Sequence, residues 1–141
     1  MLEKNFQSLF KGWVAINRPA KTTVWELKLV KNGRLEFDRV YDHQVAGLLG
    51  AKRSGQYHKI ADQPAAFIEG RRMHFGGKKP FDCQFIRDAD AFVVVLFYKP
   101  GESKIMYFID VDAWVQEKES SKRRSLDEKR AREISHMIKA L

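Results

Sequence analysis

The sequence predicts an α/β fold: one domain, residues 1–141, with a mixed β-sheet flanked by helices. Three observations predict it. Thr22 to Val30 alternates with period two, the side-chain period of a strand. Ala91 to Tyr98 is a short unbroken apolar run of the kind a fully buried strand needs. Between and around them, apolar residues recur at helical spacing. A chain of 141 residues with 44% hydrophobic and 31% charged side chains can bury one core without disulfides or a structural metal.

Each element has its own signal. Leu2, Phe6, Leu9, Phe10, Trp13 and Val14 form the apolar stripe of a first helix that ends before Arg18-Pro19. In the strand Thr22 to Val30, Thr23, Trp25, Leu27 and Leu29 share one face, and Val24, Glu26, Lys28 and Val30 share the other. Asn32-Gly33 marks a turn. Asp38 is positioned to cap a second helix over Arg39 to Leu49, closed by Gly50. From Ala51 to Lys79 no periodic element is evident, and a connection this long points to a functional or a mobile segment. Three more strands are predicted, over Phe81 to Ile86, Phe92 to Tyr98 and Ile105 to Val111, the last two joined by a turn at Pro100-Gly101. Ser125-Leu126-Asp127-Glu128 has the capping-box pattern that opens a final helix, giving a basic C-terminal helix over 122–141.

Charge narrows the function classes. Lys and Arg number 26 against 18 Asp and Glu, a net charge of +8 spread over both halves of the chain, with an isoelectric point near 9.7. Such a balance favours a polyanionic partner, above all nucleic acid. Lys52, Arg53, Arg71, Arg72, Lys78 and Lys79 are the candidate phosphate contacts, extended by Lys122-Arg123-Arg124. One cysteine, Cys83, excludes an internal disulfide and a cysteine-rich zinc module, and it is expected on an apolar strand face in the core. The four histidines have no zinc-ligand spacing, and Gly76-Gly77-Lys78-Lys79 lacks phosphate-loop spacing. No apolar run is long enough to span a bilayer and the first residues lack a signal peptide, so a cytoplasmic protein without membrane contact is expected.

Candidate chemistry begins at Glu26 and Lys28. On one strand face they stand about 6–7 Å apart along the chain, in a strand otherwise fit for a core. A carboxylate that holds Mg²⁺ beside an ammonium that positions water or offsets charge at phosphorus is what phosphodiester hydrolysis requires; a solvated ion pair is the plain alternative. Gln44 falls in the apolar stripe of the second helix, so it either bonds a backbone group in the core or reaches over the strand toward Glu26 and Lys28. Asp82 offers a second carboxylate at the start of its strand, as a metal ligand or as a strand-start hydrogen-bond acceptor. Asp110 and Asp112 share a strand face near its end, and Glu3 lies in the first helix.

Together, Trp25-Glu26-Leu27-Lys28, the short Leu35-Glu36-Phe37 link and His43-Gln44 in a helix resemble PD-(D/E)XK nucleases, most of all the Holliday-junction resolvases of the RecU type. The aliphatic strand Phe92 to Tyr98 is similar to the later strand of that family. The resemblance implies a restriction-endonuclease-like core, Mg²⁺-dependent (or Mn²⁺-dependent) cleavage of DNA, branched junctions as substrate, and a homodimer. By the same resemblance Glu26 is a metal ligand, Leu27 lends its carbonyl, Lys28 is the catalytic lysine and Gln44 the auxiliary glutamine. The family's metal-binding Asp precedes the Glu-x-Lys strand, whereas Pro80-Phe81-Asp82 comes after it, Asp82 lying 56 positions downstream of Glu26. Either Asp82 takes the role from another strand or the metal site is incomplete. A nucleic-acid-binding module without cleavage, and a protein-interaction subunit, are the rival readings.

Overall fold

The computed structural model describes residues 1–59, 65–68, 71–74 and 83–141, and of residues 59, 65–68 and 71–74 it describes the backbone. Its centre is a four-stranded mixed sheet. Strand β1 (Thr23–Val30) occupies one edge. The elements β2 (Arg34–Glu36), α2 (Asp42–Lys52), β3 (Gln56–Lys59), β4 (Ala65–Ile68), β5 (Arg71–His74) and β6 (Cys83–Ile86) intervene before the chain returns. It returns as β7 (Asp90–Phe97), parallel to β1 with Glu26 opposite Val93. Then β8 (Ile105–Asp110) runs antiparallel to β7, and β10 (Met137–Ala140) closes the far edge, antiparallel to β8. Helix α1 (Glu3–Ile16) precedes the sheet, while α3 (Val111–Ser120), β9 (Ser125–Asp127) and α4 (Glu128–Ile134) lie between β8 and β10. The α/β class and the mixed sheet flanked by helices therefore stand.

Each sheet face carries its own core, as the alternation in β1 requires. Leu29, Phe92, Val94, Leu96, Met106 and Phe108 meet Phe6 and Phe10 of α1 on one side. Val30, Val93, Val95, Tyr107 and Ile109 meet Leu48 of α2 and Trp114 of α3 on the other. Phe6 is wholly buried and its ring packs edge-on against Phe10 at 6.3 Å. Side chains buried to this degree stabilise the fold by about 1.5–3 kcal/mol each, which is what seats α1.

Several expected boundaries move, each for a physical reason. The second helix begins three residues later than expected. Phe37–Arg39 forms a 3₁₀ turn, and both Phe37 and Val40 are buried before α2 starts. Asp38 is thus not the cap. Gly50 does not end α2 either; the helix runs on to Lys52, and the Gly55 N–H reaches back to the Gly50 carbonyl at 2.7 Å. Gly55 has φ +83°, and a Cβ there would collide with the Phe85 ring, so only glycine fits. The stretch after α2, expected to be irregular, pairs β3 with β6 and β4 with β5.

Strand Ile105 to Val111 stops at Asp110. The Asp110 carboxylate accepts the Asp112 N–H at 2.9 Å and starts α3, a helix that the alternating pattern does not predict. The basic C-terminal helix 122–141 is corrected to β9, the short α4 and β10. Ser125 pairs with Glu36 in the β2–β9 ribbon, and Asp127 caps α4 by accepting the Arg130 N–H at 2.8 Å. Cys83 is exposed, not a core residue, since β6 pairs with β3 and not with the main sheet. Among the described residues no helix is long and apolar enough to cross a membrane.

Candidate active site

Because Glu26 and Lys28 lie on the β1 face that turns toward α2, they meet the first turn of that helix. Lys28 is 7% exposed. Its Nζ lies 2.9 Å from Glu26 Oε1, donates to Gln44 Oε1 at 3.3 Å, and sits 5.7 Å from the centre of the Tyr41 ring. Glu26 is less enclosed, with a side chain 23% exposed. The arrangement is costly as architecture. An apolar side chain of similar volume in place of a buried ion pair usually holds a fold as well or better, and β1 is otherwise built of Val, Leu, Trp and one Thr.

Gln44 does both things its position allowed. Its Nε2 donates to Glu26 Oε1 at 2.8 Å, and its Oε1 accepts the Tyr41 N–H at 3.0 Å as well as the Lys28 ammonium. It caps α2 and bridges the strand pair in one gesture. The amide has a single sensible orientation, since reversing it would set an NH₂ against an N–H and an ammonium. The Tyr41 ring stacks on His43 at 5.6 Å, which fixes the aromatic wall beside Lys28.

The backbone adds an acceptor. The carbonyls of Thr22 and Val30 accept from Asp90 and Tyr98 at 3.0 and 2.8 Å, both on the β7 side. Carbonyls alternate sides along a strand, so those of Leu27 and Leu29 face the open edge; Leu29 O accepts the Arg39 guanidinium there at 3.4 Å. Leu27 thus presents a carbonyl oxygen next to the Glu26 side chain. Both also line a cleft of about 490 Å³ between α1 and the edge, in which Glu3 and Lys11 stand on the helix side.

Glu26 and the Leu27 carbonyl are oxygen donors of the kind a hard divalent cation takes. Mg²⁺ takes oxygen ligands, keeps several waters and needs one or two carboxylates together with substrate phosphate. Glu26 Oε1 is engaged by Lys28 and Gln44, and the second carboxylate oxygen has no donor among the described residues. Among the described residues no group of three or more His, Cys, Asp and Glu side chains gathers into a ligand cluster. Asp82, the second carboxylate expected there, lies outside the described residues, as do Lys78 and Lys79.

The expected phosphate contacts divide. Lys52 Nζ is held by Asp110 at 2.7 Å and by Asp112 at 2.7 Å, and Arg53 pairs with Asp112. Burial pulls the Lys52 pKa down, but hydrogen bonds and charge from the two aspartates outweigh it and leave the pKa above the usual lysine value. This cluster pins the end of α2 to the β8–α3 corner, so Lys52 and Arg53 already have anions of their own. It also answers for Asp110 and Asp112, which hold cations supplied by the chain itself. Arg71 and Arg72 lie in β5, of which the backbone is described.

Sequence reasoning missed Tyr41 and Arg39 as parts of this edge. The signal for Tyr41 was its place three residues before Gln44, the capping-box spacing; Arg39 had none, because its role depends on which carbonyls of β1 are left open. No protein-family model, curated protein or solved structure matches the chain.

Proposed function

We propose that the protein is a divalent-metal-dependent DNA endonuclease that hydrolyses phosphodiester bonds, with branched junctions of the Holliday type as its substrate. The observation that carries this reading is the buried ammonium of Lys28, held between Glu26 and Gln44 on β1, the edge strand of the sheet among the described residues. Glu26, the Leu27 carbonyl and Asp82 are the residues that would hold Mg²⁺ or Mn²⁺. Such an ion would polarise a phosphoryl oxygen as a Lewis acid.

The chain's own groups do the rest. Lys28 cannot swing away, so its ammonium is preorganised toward the negative charge that grows on a pentavalent phosphorus, and it can hold the incoming water by hydrogen bond. Gln44 restrains the Glu26 carboxylate by donating to Oε1 and leaves its other oxygen available. Water adds to phosphorus as the bond to the 3′ oxygen breaks, leaving a 5′-phosphate and a 3′-hydroxyl. Paired incision of a four-way junction takes two such sites, which suits a cytoplasmic homodimer.

The rival reading, nucleic-acid binding without cleavage, is favoured by one observation: the Glu26 oxygen nearest Lys28 already has two donors. A labelled four-way junction incubated with the protein in Mg²⁺ or Mn²⁺ decides between them. Nicked products ending in a 5′-phosphate support the enzyme; retarded but intact junction in both metals supports the binding module.

A further inference from the structure

The cleft at Glu26 does not end there. Glu3 lines both that cleft and a second hollow of about 360 Å³, formed with Lys31, Arg34 and Arg39 just past the end of β1. Arg34 in turn is shared with a third hollow, of about 600 Å³, formed with Arg123, Arg124 and Asp127. The second and third hollows adjoin because β2 and β9 are paired, with Arg34 opposite Asp127 and the Phe37 N–H bonded to the Arg124 carbonyl at 3.1 Å. One groove thus runs along the open edge of the sheet from Glu26 to the β2–β9 ribbon.

Its charge changes along the way. The Glu26 end carries two carboxylates, Glu3 and Glu26, against Lys11. The far end gathers five bases against Glu3 and Asp127. Only Arg123 of these five has a carboxylate partner among the described residues, Asp127 at 3.1 Å. Lys31, Arg34, Arg39 and Arg124 are all exposed. Unlike Lys52 and Arg53, they can meet an external anion without surrendering an internal one. From Glu26 to Lys31, on the near side of that basic end, the chain spans about 17 Å, comparable to about five base-pair rises along a duplex axis at about 3.4 Å each.

We propose that this groove is the track of a DNA backbone, with the Arg34–Arg124 end gripping phosphates to one side of the bond that lies at Glu26. It rests on the nuclease reading for what happens at Glu26, whereas the grip itself does not need cleavage. Contacts of this kind neutralise phosphates without reading bases, so they set affinity and register and leave sequence preference alone.

The test is binding of a fluorescently labelled 20-bp duplex by anisotropy, without divalent metal, between 50 and 200 mM NaCl. The Arg34→Ala/Arg124→Ala variant should bind about 10- to 100-fold more weakly at 100 mM, and the slope of log K against log salt should fall by about 1.8, two lost phosphate contacts at about 0.9 each. Arg34→Lys/Arg124→Lys should keep the wild-type slope, and Lys139→Ala on β10, at the opposite edge of the sheet, should change nothing. An Arg34→Ala/Arg124→Ala variant that folds and binds with the wild-type slope overturns the groove and leaves the nuclease reading standing. Wild-type protein with no affinity for the duplex at 50 mM overturns it too. If the slope falls as expected but the wild-type protein cuts no junction in Mg²⁺ or Mn²⁺, the groove stands and the nuclease reading alone is lost.

Discussion

Gln44 donates a 2.8 Å hydrogen bond to Glu26 from eighteen residues further along the chain, and through its other amide atom it accepts from Lys28. One side chain therefore ties the start of α2 to both charged groups of β1. A helix cap is a stability device worth about 1 kcal/mol; a cap that also orients a carboxylate beside a buried ammonium serves the chemistry proposed for that edge.

Gln44→Leu removes all three bonds at once. The exposed Tyr41 N–H can turn to water, but the enclosed Lys28 ammonium is left with Glu26 alone, and losing a hydrogen bond to a buried charged group costs about 1–3 kcal/mol. Urea unfolding should show a loss in that range, with the midpoint lowered and the slope unchanged. A variant as stable as the wild type would mean that the bridge is ornamental.

Lys28→Met tests the ammonium. Methionine fills nearly the same volume, but it leaves the largely buried Glu26 carboxylate with Gln44 and some solvent alone, so a stability loss of up to about 3 kcal/mol is expected and cleavage is read on protein shown to be folded. Junction cleavage should fall by about 100- to 1000-fold, the usual loss on removing one preorganised electrostatic donor. Unchanged cleavage would reduce Lys28 to a packing residue.

Acid should loosen the corner pinned by Asp112. The Lys52 hydrogen bond, with the charges of Lys52 and Arg53, holds the Asp112 carboxyl below its ordinary pKa against the opposing pull of burial. Glu128 is also lowered: burial pushes it up, but hydrogen bonds from Lys99 and Tyr107 outweigh that. Groups lowered on folding contribute stability that is whole above the unfolded carboxylate pKa of about 4 and is lost as pH falls through the folded value. Melting temperature should therefore hold from neutral pH down to about 4 and drop below it. Asp112→Asn should show a shallower drop, and an identical pH profile for the two proteins would contradict the assignment.

Phe6→Ala tests the seat of α1. Phe6 is fully buried between α1 and the sheet, and truncating an aromatic ring in such a site costs about 3–5 kcal/mol. Calorimetry should report a large fall in melting temperature; a shift of a degree or two would show that α1 does not hold the sheet.

Much of this was legible because β1 obeys period two so cleanly. Alternation alone put Glu26 and Lys28 on one face and Trp25, Leu27 and Leu29 on the other, and both cores result from it. Gln44 was legible as a polar break in an apolar stripe, although its helix starts three residues late because Phe37 and Val40 are buried first. What failed was local ambiguity. Asp110-Val111-Asp112 alternates like a strand, yet an aspartate whose carboxylate meets an N–H two residues on is a helix cap. Ser125 to Glu128 spells a capping box, but Ser125 is taken by pairing with Glu36 and the cap passes to Asp127. Neither outcome is written in the segment itself, since each depends on a partner distant in the chain. The bases illustrate the same limit. Lys52 and Arg53 look like free cations until the fold brings two aspartates to them, while Arg34 and Arg124 acquire their common setting only when β2 pairs with β9.

Cleavage by Glu26→Gln protein addresses the central claim most directly. Glutamine keeps the shape and an acceptor for Gln44 and Lys28 but removes the charge that a divalent cation needs, so a folded variant with near wild-type DNA affinity is expected to lose Mg²⁺-dependent nicking of a four-way junction altogether. Nicking by that variant at the wild-type rate would show that the hydrolysis does not pass through this carboxylate, and the assignment of the β1 edge as an active site would fall.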